Sequence, residues 1–227
     1  MSLILSGQVA NSKPIPDIDD GVLKQRIIEL LNRPQVEKLV HRYFNPLRDE
    51  PFAGNLFHSL GENHPFRFSR DDLLSLNLLD EPVAARQVEL VTSGKFDRLL
   101  HPLDPAFDIR MLEGDSYSSA IALWEALDEV PQFGPTRVSK LLARKRPNLL
   151  PIRDSVVNRV LGIDGYSWWR PLAQVMNEGS TYDLLRAMTP DSPHGRPTLL
   201  RVLDVAIWMY GSNAKAVRDI HLEFGIT

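Results

Sequence analysis

Apolar residues recur at three- and four-residue intervals along most of the chain, the spacing that gives a helix one dry face. In DDGVLKQRIIELLN, Val22, Ile27, Leu30 and Leu31 fall on that spacing, Arg33-Pro34 interrupts it, and PQVEKLVHRYF resumes it. FSRDDLLSLNLL carries Ser69 with Asp72 three residues on, a capping box built with the shorter acid. EPVAARQVELVTSG stops at Gly94, and DSYSSAIALWEALDEV sets Ile121, Trp124 and Leu127 along one side. YSWWRPLAQVMNEG, STYDLLRAM, RPTLLRVLDVAIWMYG and NAKAVRDIHLEFG continue the series. The third of these is largely apolar over 199–209 and reads as a central buried helix. No alternating run flanks an Asn-Gly or Asp-Gly turn to mark a hairpin of strands. Residues 45–68, rich in Pro, Gly, Asn and aromatics, form the one long irregular stretch, expected as a short hairpin or a loop packed on the helical body. The expected fold is all-α. A mobile leader over 1–20 precedes a single helical domain over 21–227, in one compact unit or two helical lobes.

Composition narrows the function. At 227 residues the chain can bury a sizeable core, and no apolar run reaches the length of a membrane span. The N-terminus has no basic region ahead of its short apolar start, so a signal peptide is not expected and a cytoplasmic protein is. Cysteine is absent, which removes disulfides, thiolate metal sites, iron–sulfur clusters and a cysteine nucleophile. The six histidines show no H-x-x-x-H or H-E-x-x-H spacing, so neither a metal nor another cofactor is expected. Net charge is −3, yet between Pro135 and Arg159 seven cations face one acid, a local +6 that leaves −9 elsewhere. Such a patch suits a phosphate-binding face; a solvated helix surface produces it equally well.

The same window carries the most specific motif, VPQFGPTRVSKLLARKRPNLLPIRDSVVNRVLG, residues 130–162. A turn over Pro131-Gln132-Phe133-Gly134-Pro135 leads into a helix from about Thr136 to Arg146, forming with the preceding helix a hairpin over about 117–146. Gly134 tolerates backbone angles other residues resist, and Pro135 suits a first helical turn. The amides at that helix start form an anion-binding geometry. Arg137, Lys140 and Arg144 share one helix face. Asp154 reads as the N-cap of SVVNRVLG.

This stretch resembles the helix-hairpin-helix base-excision DNA glycosylase superfamily, in which L-P-G-V-G-x-K-T-A is followed by a loop and V-D-T-H-V-x-R. Counting from Thr136, at the family's lysine position, Asp154 falls 18 residues later, as the family's aspartate does, and Arg159 matches its arginine five residues on. Three departures stand out: Gln132 replaces the first hairpin glycine, Val138 a small residue, and Thr136 the Schiff-base lysine of bifunctional members. Beyond these 33 residues, FSRDDLLSLNLL and LLRVLDVAIWM resemble an uncharacterised bacterial family common in actinobacteria.

The resemblance implies double-stranded DNA as partner, with Gln132, Gly134, Thr136, Arg137, Lys140 and Arg144 as contacts. Asp154 is the implied catalytic carboxylate of a monofunctional glycosylase, stabilising an oxocarbenium-like sugar or orienting water once the base is flipped. Arg153 and Arg159 are further site candidates, Arg153 as an ion-pair partner of Asp154. The alternative is a catalytically inactive helix-hairpin-helix scaffold that keeps Asp154 as a cap. Trp168-Trp169 is expected to place one ring in the core and one against a loop, or to form a stacking platform for a base. Asp19-Asp20 and Asp71-Asp72 are expected as helix-start acids.

Overall fold

The computed structural model describes residues 18–48, 50, 52–163 and 168–226. The expected leader thus lies, up to residue 17, outside the described residues. Among the described residues every regular element is helical. In chain order the α-helices are α1 (Asp20–Leu31), α2 (Pro34–Phe44), α3 (Arg70–Leu76), α4 (Ala85–Val91), α5 (Asp97–Leu100) and α6 (Gly114–Asp128). There follow α7 (Gly134–Lys145), α8 (Ser155–Leu161), α9 (Trp169–Asn177), α10 (Ser180–Ala187), α11 (Leu199–Gly211) and α12 (Lys215–Glu223). Short 3₁₀ turns occupy Ala53–Leu56, Asn77–Leu79 and Ile109–Met111.

Local chemistry explains several boundaries. The Asp19 carboxylate accepts from the Val22 amide at the start of α1, and Thr198 accepts from the Arg201 amide at the start of α11. Ser69 and Asp72 close the reciprocal box that opens α3. Helix α11 is the central strut: nine of its residues are buried, and α1, α2, α8 and α10 pack around it. Helix α7 packs between α3 and α6. Trp168 and Trp169 are both enclosed, and Trp169 meets Trp124 edge-on at 5.4 Å. Both rings therefore lie in the core, and neither forms an exposed stacking platform.

The irregular stretch from residue 45 to 68 contains no strand among its described residues. It is held instead by the C-terminal end of α7. Arg144 donates to the carbonyls of Phe57 and Leu60, Lys145 to that of His64, and Arg146 to that of Pro65. A backbone without ladder partners must satisfy its carbonyls elsewhere, and three consecutive cations perform that task. Asp72, fully buried, is the counter-charge, 3.4 Å from Arg144 Nε and 2.9 Å from Lys145 Nζ. The +6 window is consequently not a surface patch: Lys140, Arg144, Lys145, Arg146 and Arg153 are all buried.

Candidate active-site cleft

Helices α6 and α7 are joined by a turn in which Gln132 (φ 60°) and Gly134 (φ 73°) both adopt left-handed backbone angles. A non-glycine residue tolerates that region only at a cost, yet Gln132 occupies it at the place where the resembled motif has glycine. The turn therefore keeps its shape without its first glycine. Gln132 is exposed at the tip, while Gly134 and Thr136 are half-buried. Arg137 folds back, donating to the carbonyls of Pro82, Gln132 and Phe133 and lying 3.5 Å from Glu81. Lys140 points inward, its Nζ 2.8 Å from the Leu79 carbonyl and 3.4 Å from Glu81. Arg144 is fully enclosed by the 57–60 carbonyls and Asp72. The three cations thus share a helix face, as their spacing predicts, but that face turns toward the protein.

Helix α7 also anchors the chain on its C-terminal side. The buried Ser139 hydroxyl receives the Arg153 amide at 2.7 Å and lies 3.4 Å from the Pro151 carbonyl. This pins the 147–153 segment and delivers Asp154 to the start of α8. Asp154 caps that helix through Oδ1 alone, which accepts from the amides of Val156 and Val157, each at 2.9 Å. Among the described residues Oδ2 has no hydrogen-bond partner. The Arg153 side chain donates to Asn158 Oδ1. Arg159 donates to the Gly211 carbonyl at 2.7 Å, tying α8 to the end of α11. At Gly211 a Cβ would stand 2.4 Å from Val160 Cγ2, so the two helices meet where no side chain intervenes.

Asp154 lines a cavity of about 140 Å³. The cavity is lined by Tyr43 of α2, Phe52, and Arg201, Asp204 and Trp208 of α11, together with Asn77, Asp80 and Lys140. Aromatic rings form much of one wall: Tyr43 lies 5.4 Å from Phe52 and 6.3 Å from Trp208 between centroids. Behind them Arg201 donates to the Tyr43 hydroxyl at 2.6 Å and to the Gly54 carbonyl at 3.0 Å, and pairs with Asp204. Gly54 is required at that spot, since a Cβ would fall 2.2 Å from the Tyr43 oxygen.

The electrostatics follow from burial. Asp204 is pushed up to about 6, chiefly because it is buried, with Arg201 opposing and the nearby charge of Asp154 adding to the rise. Burial raises the Tyr43 phenol, against the pull of Arg201. His58, just beyond Arg201, is pushed down to about 3 by burial and by the Arg201 charge. Among the described residues no group of three or more His, Asp or Glu side chains could hold a metal ion, and no helix is long and apolar enough to cross a membrane.

Of the sequence-derived candidates, only Asp154 and Lys140 line this cleft. Gln132, Gly134, Thr136 and Arg137 cluster at the α6–α7 turn, Arg144 is interior, and Arg153 and Arg159 brace α8. Sequence reasoning missed Tyr43, Arg201 and Asp204. A signal was present: two opposite charges three residues apart within the otherwise apolar run LLRVLDVAIWMYG, a placement that charged side chains rarely take without a partner or a task. Comparison with curated proteins and with solved structures gives no match. The family comparison does: a family model matches residues 36–211, which include every residue named around the cleft, and the chain belongs to that family, a family of unknown function (DUF6308).

Proposed function

We propose that the protein binds duplex DNA through the α6–α7 hairpin and that the Asp154 cleft hydrolyses the N-glycosidic bond of a flipped base. The observation that carries this reading is the split use of one carboxylate. Asp154 is held through Oδ1 by two amides, while Oδ2 has no hydrogen-bond partner among the described residues, and the residue lines a cavity with aromatic walls. A fixed negative charge stabilises the positive charge that develops on the sugar, and flat aromatic surfaces suit an extruded base. Gln132, Gly134 and the first amides of α7 would meet a backbone phosphate. Arg137, the one member of the Arg137–Lys140–Arg144 row that is not buried, would add charge there. With Lys140 and Arg144 buried and Arg137 beside Glu81, binding should depend weakly on salt, by roughly one counterion per phosphate neutralised.

A second reading, an inactive scaffold, is favoured by the inward turn of Lys140 and Arg144 and by the structural use of Asp154 as a cap. Fluorescence anisotropy separates the two, using duplex DNA with a non-hydrolysable abasic-site analogue beside undamaged duplex across a salt titration. Preference for the analogue, with a shallower salt slope in Arg137→Ala, supports the glycosylase and directs a base-release screen of wild type against Asp154→Asn. Absence of binding at low salt removes the DNA assignment. Binding without preference leaves a DNA-binding scaffold.

A further inference from the structure

We propose that Asp204 is the proton donor of this cleft, acting with Asp154, and that the base released is therefore a neutral one that must gain a proton to leave. The proposal rests on the glycosidase reading of the cleft. Its basis is a juxtaposition: three carboxylates line the same cavity, Asp80, Asp154 and Asp204; Asp80 is exposed, and among the described residues Asp154 and Asp204 are each anchored through one oxygen. Asp154 is held through Oδ1 by the start of α8, and Asp204 through Oδ2 by Arg201. Among the described residues the opposite oxygen of each has no hydrogen-bond partner. They differ in setting. Asp154 is half-exposed at the cleft edge, whereas Asp204 is 5% exposed on the central helix.

Five other titratable groups line the cavity with Asp204. Arg201 lies on its own helix, Tyr43 comes from α2, Lys140 from α7, Asp154 from the start of α8, and Asp80 from beyond the Asn77–Leu79 turn. Burial and Asp154 favour the protonated acid, while Arg201 and Lys140 favour the carboxylate. The outcome near 6 leaves about one molecule in ten protonated at pH 7, a poise suited to proton delivery. In the step, the proton on Asp204 passes to the departing base as the C1′–N bond breaks, and the bonding electron pair leaves with the base. Water oxygen then adds to C1′ and its proton goes to Asp154. Asp204 ends ionised and Asp154 protonated, and exchange with solvent restores both. A base already quaternised leaves as a neutral molecule without this proton and would gain nothing from Asp204.

Two measurements test this. Carboxyl carbon NMR of the full chain follows Asp204 directly, in wild type and in Asp154→Asn. The expected result is a titration well above that of an ordinary aspartate, moving down when the Asp154 charge is removed. Titration like a free aspartate, or indifference to Asp154→Asn, overturns the proposal whatever the activity. Single-turnover base release is then compared on duplexes carrying uracil or hypoxanthine, which leave as neutral bases needing a proton, and 7-methylguanine, which is quaternised. Asp204→Asn should slow release of the neutral bases by about 100-fold or more and leave 7-methylguanine nearly unaffected, and Asp204→Glu should restore part of the loss. Unchanged neutral release in Asp204→Asn, or wild-type release of 7-methylguanine alone, overturns the donor role while the glycosidase reading stands. No release from any duplex overturns both. If Asp204→Asn fails to fold, the wild-type titration and the Asp204→Glu pH profile decide.

Discussion

Gln132 and Gly134 sit two residues apart in the same turn with left-handed backbone angles, and only one of them is glycine. A side chain in that region costs about 1–2 kcal/mol, of which glycine's greater freedom in the unfolded chain returns about 0.4–1 kcal/mol. Gln132→Gly should therefore stabilise the protein by about 0.5–1 kcal/mol in urea unfolding. Gly134→Ala should destabilise it by a similar amount, although a Cβ there would meet nothing within 4 Å. No change in the unfolding midpoint from either substitution would show that the turn relaxes. At Asp154 the cap and the proposed chemistry can be separated. Asn caps as well as Asp, whereas Ala costs roughly 1 kcal/mol. Asp154→Asn should keep the wild-type unfolding midpoint and lose base release, while Asp154→Ala should lose both.

At the scale of elements, α7 organises the molecule through charge. Its last two residues and its C-cap hold the 57–65 backbone, and a single buried carboxylate offsets Arg144 and Lys145. Removing one partner of a buried pair strands the other, typically at about 3–5 kcal/mol. Asp72→Asn is expected to destabilise by that amount, read from the unfolding midpoint, because two cations rather than one lose their counter-charge. The packing of α8 on α11 supplies a second test. Gly211→Ala drives a methyl group into Val160 and should cost about 1–3 kcal/mol as overpacking, with Asp154 displaced from the cleft. The helices were legible in the sequence apart from the four-residue α5, since periodicity and caps are local. The direction of the α7 cations was not, because a row of Lys and Arg at helical spacing is the same string whether it meets water or carbonyl oxygens.

For the whole molecule, two buried groups give stability an unusual dependence on pH. His58 is held down to about 3 against an ordinary 6.5, so the unfolded chain binds its proton first. The stability this group contributes is full above pH 6.5 and is lost as pH falls from there toward 3. Asp204 is raised to about 6 from 3.8, and the folded state binds its proton first. Its contribution is full below pH 3.8 and is lost as pH rises toward 6. The two oppose each other between roughly pH 4 and 6. The stability of His58→Gln minus that of wild type should rise as pH falls through this window, and that of Asp204→Asn minus wild type should rise as pH increases. Chemical denaturation across pH measures both, and the same sign of slope in the two variants would contradict the assignment.

The sequence by itself determined all the helices but α5, the box that opens α3, the turn between α6 and α7 and the placement of Asp154 at a helix start, because each depends on residues within a few positions of one another. It also contained the opposed charges of α11, without indicating what they face. Only the tertiary structure decided which cations are interior, and which carboxylates join Asp154 in a cavity. Asp154 and Asp204 are fifty residues apart in the chain and become neighbours only because α8 packs on α11 at a glycine. Burial is a property of that packing, and burial is what sets the charge state of Asp204 and turns the basic window of α7 from a surface patch into an internal frame.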